Sequence, residues 1–242
     1  MSNPSNYNRA TFLRRTGVGL SSAAFVAEAL AATPETSAQE ADSGPPMAAS
    51  SPLDALAQLK AGNARFVAGK PECEPVTARV AELAHGQHPF AIILGCSDSR
   101  VPIEAVFDQV PGNIFDVRVA GNFLTNEGLG SIEYSTFVLK SKLIVVLGHS
   151  NCGAVTAAVA YVKDGTTEPG QIQGIVTALV PAAQATKGVA GDWVANAVVK
   201  NVRLTMQGLT TRSTIVADAV KAGALRVVGG VYDLPTGSVG FL

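Results

Sequence analysis

The chain has 242 residues, of which 47% are hydrophobic and 15% charged, and its 18 basic and 19 acidic side chains leave a formal net charge of -1. That length fills one ordinary hydrophobic core once an unusual N-terminal stretch is set aside, and near-neutral charge without a basic stripe excludes a nucleic-acid partner. Three cysteines, Cys73, Cys96 and Cys152, are too few and too widely spaced for a disulfide framework, which leaves metal binding or inert burial.

Residues 1 to 15 carry Arg9, Arg14 and Arg15 and no acid, residues 16 to 27 are small and apolar, and Ala29-Leu30-Ala31 follows. This is the order of a signal peptide, expected over 1–31. The apolar run is too short for a spanning helix, which needs about 20 residues, so no membrane span is expected. Arg9-Ala10-Thr11-Phe12-Leu13-Arg14 is similar to a twin-arginine export signal, with Ala10 where the second arginine would stand. Export of an already folded chain suits a site with two thiolates, which could otherwise pair in an oxidising compartment. The expected location is the bacterial periplasm or the extracellular space, and the cytoplasm if the segment is only a disordered basic tail. Residues 32–51, rich in Ala, Ser, Pro and Thr, read as a flexible linker, and residues 52–242 as one catalytic domain.

From Pro52, the spacing of Leu53, Leu56, Leu59 and Phe66 predicts a helix with proline in its first turn, and Thr77 to His85 a second, together an N-terminal helical arm. Short apolar runs at 90–95, 114–119, 143–148 and 225–232 read as strands. Helical stretches near 102–107, 127–140 and 152–163 separate them. The alternation predicts an α/β fold, a mainly parallel central sheet with helices on its faces. Residues 171–186 and 193–222 read as helices interrupted at Pro181 and Gly208, and 238–242 as a last edge strand.

Gly95-Cys96-Ser97-Asp98-Ser99-Arg100 follows the first predicted strand and Gly148-His149-Ser150-Asn151-Cys152-Gly153 the third. Both therefore lie beyond strand carboxyl ends, where open α/β sheets place ligands. Two Cys and one His form a donor set that zinc accepts, and three protein ligands leave a fourth position open. His149 and Cys152 are close enough on a strand-to-helix turn to reach one ion, and Cys152 lies near a helix N-terminus, which favours thiolate. Each motif alone is weak, since a buried Cys is more often a small hydrophobe. Asp98 and Arg100 alone would be a solvated surface pair. Beside a metal, Asp98 could ligate the ion or accept a hydrogen bond from bound water, and Arg100 could draw it away by a bidentate pair.

Cys-x-Asp-x-Arg at 96–100, followed by His-x-x-Cys-Gly at 149–153, resembles the signature of the β-carbonic anhydrases. The resemblance extends over about 52–242, through Leu59 to Phe66, Ala120-Gly121-Asn122, Gly130 to Tyr134 and Val231 to Leu234. It implies one Zn2+ per chain on Cys96, His149 and Cys152, a catalytic dyad of Asp98 and Arg100, and reversible hydration of CO2 to bicarbonate by hydroxide on the zinc. It further implies a substrate pocket in which Gln87 hydrogen-bonds, Phe115 and Tyr134 form aromatic walls and the Gly153 N–H faces bicarbonate. On the residues alone these would be a surface amide, a core residue and a helix-face aromatic. In members of the family with such a glutamine, Asp98 would be withdrawn from the metal and water would complete the shell, with reversible Asp98 ligation as the alternative. The resemblance also implies a homodimer or larger homo-oligomer with the pocket built across a subunit interface. His85 and His88 could pass protons to buffer, or be plain loop histidines, and Cys73 has no assigned role. Carbon disulfide and carbonyl sulfide hydrolases resemble the same family, and a non-catalytic zinc or bicarbonate-binding protein on this fold is the remaining alternative.

Overall fold

The computed structural model describes residues 49 to 73, 77 and 79 to 242. The expected signal peptide and all but the last three residues of the expected linker lie outside the described residues. Helix α1 (Pro52–Val67) begins where its capping chemistry places it. The Ser51 hydroxyl accepts the Asp54 N–H at 3.1 Å, and Pro52 brings no N–H to leave unpaired. Ala55 and Leu59 of α1 are fully buried, and the core reaches back to Ala49. The predicted second helix shrinks to one turn, α2 (Val80–Leu83), because it has neither a capping side chain nor a buried residue to hold a longer one.

The remaining elements are β1 (Ala91–Gly95), α3 (Ile103–Val106), β2 (Ile114–Arg118), α4 (Asn126–Phe137), β3 (Leu143–His149), α5 (Gly153–Asp164), α6 (Ile172–Ala185), α7 (Trp193–Arg212), α8 (Thr214–Lys221), β4 (Arg226–Tyr232) and β5 (Val239–Phe241). Strand order is β2-β1-β3-β4-β5. The first four strands are parallel and β5 is antiparallel. This is the α/β architecture with a mainly parallel sheet that the alternation predicts.

Every residue of β1 and β3 is buried, which explains why both read as continuous apolar runs rather than alternating ones. Ala91, Ile93, Leu143, Val145 and Leu147 pack toward α1 and α3, while Ile92, Leu94, Ile144 and Val146 pack toward α4, α7 and α8. A further apolar cluster, formed by Val155, Val176, Leu179 and Val198 of α5, α6 and α7, encloses Cys96 and Cys152 at the carboxyl ends of the strands. At roughly 1.5–3 kcal/mol for each fully buried aliphatic side chain, these layers hold the loops that carry the chemistry. Helix α7 approaches β3 closely at Gly148, where a Cβ would stand 2.9 Å from Val202 and 3.0 Å from Val198.

Two predicted interruptions do not occur. Pro181 lies inside α6 on its exposed side, and Gly208 lies inside α7, held helical by the burial of Val202, Thr205 and Leu209 around it. The break in 193–222 falls instead at Ser213. Its backbone is extended, at φ -127°, and its hydroxyl accepts the Val216 N–H at 3.1 Å to start α8. Among the described residues no helix is long and apolar enough to cross a membrane.

Candidate metal centre

The chain leaves β1 toward β2 on one side and later enters β3 on the other, so the sheet's topological switch point lies between β1 and β3. Cys96 directly follows β1, and His149 ends β3. Parallel pairing of Gly95 with Leu147 sets the two strand ends side by side. Cys152 follows after a turn in which Asn151 has φ +53°, a conformation that asparagine tolerates, and Cys152 is the N-cap of α5. That turn is pinned to β4, since the Ser150 N–H donates to the Tyr232 carbonyl at 2.9 Å and the Ser150 Oγ accepts the Leu234 N–H at 2.9 Å.

The Sγ atoms of Cys96 and Cys152 and a ring nitrogen of His149 lie within 4.8 Å of one another, and all three residues are buried. His149 donates through Nδ1 to the Ser150 carbonyl at 2.9 Å, which fixes the tautomer with Nε2 as the free lone pair. Among the described residues Nε2 has no hydrogen-bond partner although it is buried. An unpaired buried acceptor is costly, and it is the state a metal ligand shows without its ion. The thiols point the same way. The Cys96 thiol is held far below its usual range, first by its hydrogen bond with Cys152, with burial opposing, and Cys152 is pushed up by that same bond and by burial. The ionisation of the two neighbouring sulfurs is thus interdependent, and a divalent cation would hold both as thiolates. The donor set fits such an ion.

Asp98 stands beside this triad. Arg100 donates through Nε to Oδ1 at 2.9 Å, through Nη2 to Oδ2 at 2.7 Å and through its backbone N–H to Oδ1 at 3.0 Å. The Arg100 side chain holds the Asp98 carboxyl well below the usual carboxylate range. Asp98 Oδ2 is 3.7 Å from His149 Nε2, so the carboxylate borders the ligand cluster while its bonds go to Arg100. Asp98 is largely buried, whereas the Arg100 side chain is 55% exposed.

The expected substrate residues divide. Gly153 begins α5 next to Cys152, and no atom lies within 4 Å of where its Cβ would be. Phe115 and Tyr134 come together, with ring centroids 6.3 Å apart and planes tilted by 41°. They lie toward the outer strand β2, however: Phe115 packs against the cluster of Ile92 and Leu94 rather than the one around Cys96, and Tyr134 is 47% exposed. Gln87 is exposed on the segment before β1.

Three further residues hold this site, of which Arg118 and Asn201 escape motif reading and Gly121 falls in the Ala120-Gly121-Asn122 motif without an assigned role. Arg118, the last residue of β2 and paired with Gly95, donates through Nε to the Cys96 carbonyl at 2.9 Å and through Nη2 to the Asp98 carbonyl at 2.8 Å. Gly121 donates its N–H to the Cys96 Sγ at 3.2 Å, and Asn201 donates from Nδ2 to the Gly121 carbonyl at 2.8 Å. The position of Arg118 at a strand carboxyl end is the signal that could have found it. Asn201, mid-helix and 80 residues from its partner, carries none.

Two thiol sulfurs and an imidazole, buried together at the switch point of a parallel sheet with a carboxylate beside them, define an α/β protein with a site placed to bind a metal. The carbonic anhydrase family profile matches residues 91–239. Carbonic anhydrase 2 of Mycobacterium tuberculosis is 42% identical over 188 residues, which is 77% of this chain and 90% of that protein. The carbonic anhydrase of Mycolicibacterium smegmatis is 41% identical over 191 residues, 78% of this chain and 93% of that one. Solved structures similar to it include a tetrameric β-carbonic anhydrase of Sordaria macrospora (TM-score 0.61, 26% identity, 68% of this chain and 86% of that one). The Coccomyxa β-carbonic anhydrase in complex with acetazolamide is similar as well (TM-score 0.61, 30% identity, 69% and 77%). The chain belongs to the carbonic anhydrase family, in its β class.

Proposed function

We propose that this carbonic anhydrase binds one zinc ion per chain through Cys96, His149 and Cys152 and interconverts CO2 and bicarbonate at the position those ligands leave open. The observation that carries this reading is the buried triad of two thiol sulfurs and an unpaired imidazole nitrogen, beside a carboxylate held by Arg100. Two thiolates and an imidazole are the donors expected of a catalytic zinc site with three protein ligands. When bound, the ion supplies a water acidified to near neutrality.

The chain's own groups do the rest. With both oxygens engaged by Arg100, Asp98 stays ionised and clear of the fourth position, and its Oδ2 can accept a hydrogen bond from water there. Arg100, exposed at its outer side, can release the carboxylate toward the ligand cluster, which makes the pair a gate. The Gly153 N–H, one of the free donors of the first turn of α5, is available to a bicarbonate oxygen. Phe115, Tyr134 and Gln87 complete the pocket in a homo-oligomer, where a second copy closes over β2. The tetrameric Sordaria protein supports such an assembly. Residues 1–31 serve as an export signal.

The test is CO2 hydration measured together with zinc content on one sample, for the wild type and Cys96→Ser. Stoichiometric zinc with hydration that is abolished in the variant supports the reading. Hydration that survives Cys96→Ser refutes it, and sulfide release from carbon disulfide or carbonyl sulfide with negligible CO2 turnover replaces the substrate.

A further inference from the structure

We propose that Asn201 is a positioning residue of the metal centre that acts on the Cys96 sulfur through Gly121, whose carbonyl and N–H belong to consecutive peptide groups joined at its Cα. Asn201 sits in α7 among Ala197, Val198, Val202 and Leu209, all buried, and is itself 4% exposed. A carboxamide on an apolar helix face is costly unless it is bonded, and its amide donates to the Gly121 carbonyl at 2.8 Å. One turn along the same face, Thr205 is placed toward the next carbonyl, that of Asn122, with Oγ1 at 3.5 Å. Helix α7 thus offers two polar side chains to two consecutive peptides of the loop after β2.

The Gly121 residue cannot orient itself through a side chain. Its φ is +82°, and a Cβ would stand 2.6 Å from Leu179 and 3.2 Å from Ala154, so nothing but glycine fits. Two bonds on opposite sides of the residue set its orientation: the carbonyl receives Asn201, and the N–H points at the Cys96 Sγ at 3.2 Å. An N–H donated to a thiolate withdraws electron density from sulfur, so less is given to the metal and its acidity toward water rises. Removing the Asn201 donor frees the carbonyl-side peptide, so φ and ψ of this glycine, the soft torsions between the two bonds, can relax and the bond to sulfur lengthens.

This inference rests on the reading of Cys96 as a metal ligand. The test uses the full chain with cobalt(II) in place of zinc, comparing wild type, Asn201→Leu, which keeps the branching with methyl groups in place of the amide, and Asn201→Ala. In both variants the sulfur-to-cobalt charge-transfer band is expected at longer wavelength, because the sulfur is more electron-rich, while loss of its fixed orientation is expected to lower metal affinity in chelator competition roughly 10- to 100-fold. Variants that lose only melting temperature, with band and affinity unchanged, make Asn201 a loop anchor and overturn the proposal. Should neither variant fold, the cadmium-113 form of the wild type decides: scalar coupling between the metal and the Gly121 amide proton supports the proposal, and its absence overturns it. A wild-type chain that takes up no metal fails the underlying site reading instead, before any variant is compared.

Discussion

Asp116 lies on the same face of β2 as Arg118, near Glu104 of α3. Burial, with the Glu104 charge adding to it, pushes its carboxyl up to about 7, and Arg118 opposes only in part. Its Oδ1 is buried without a hydrogen-bond partner among the described residues. The sign of the linkage follows. A carboxyl raised from 3.8 to about 7 binds more protons in the folded than in the unfolded chain between those values, so stability falls as pH rises through that window. From pH 5 to pH 8.5 the loss spans two pH units, at about 1.4 kcal/mol each. With a discount for the partly open flank of β2, Asp116 costs about 2 kcal/mol over this range. Asp116→Asn removes the titration and offers Glu104 an N–H donor. The expected outcome in reversible denaturant unfolding, at fixed metal and protein concentration, is a variant whose advantage over wild type grows by about 2 kcal/mol between pH 5 and 8.5. A stability difference that does not change with pH would refute the argument, because Asp116 would then be ionised in the folded chain throughout.

Other parts of the structure yield further expectations. Asp108, with φ +47° and a fully buried side chain, accepts Arg65 Nε and the backbone N–H groups of Glu72 and Cys73. Burial alone would raise its carboxyl, but these bonds outweigh it and hold the group at about 2. Its contribution is therefore present above pH 4 and lost as pH falls through about 2. Asp108→Asn, which tolerates the same backbone, should cost about 2 kcal/mol at pH 7 and almost nothing near pH 2 in the same unfolding assay. Arg118→Ala should lower kcat for CO2 hydration about tenfold with little change in melting temperature, because an exposed side chain is lost but the Cys96 and Asp98 carbonyls lose their clamp. Arg118→Lys can bridge only one of those carbonyls, and steady-state kinetics should place it between the two.

The three residues of the triad were legible because each motif is local and each follows or ends a run of apolar strand residues. His149 and Cys152 are three positions apart, and Cys96 directly follows a strand whose five residues are all buried. What escaped is what one segment cannot show. Ser213 breaks the last long helix because its hydroxyl caps α8, whereas Pro181 and Gly208, the stronger breakers by intrinsic preference, are outweighed by burial of the residues beside them. Arg118 and Asn201 reach the site through backbone atoms 22 and 80 residues away, so their roles depend on strand pairing and helix packing rather than on residue type.

The two halves of the site are held by different means, and this bears on how a gate can work beside a fixed metal. Cys96 and His149 leave adjacent, hydrogen-bonded strands, and Cys152 is tied to α5 and, through Ser150, to β4, so moving any ligand means breaking ladder bonds or core contacts. Asp98 and Arg100 occupy the loop beyond β1. Their mutual bonds are local, and the guanidinium is open to solvent. Exchange of Asp98 between Arg100 and the ligand cluster, as proposed, would require side-chain rotation and the loss of a bidentate pair, whose guanidinium partner can turn to water instead. It would break no ladder bond and no core contact, whereas moving any member of the triad would. The proposed gate therefore needs only side-chain movement beside a triad fixed by the sheet.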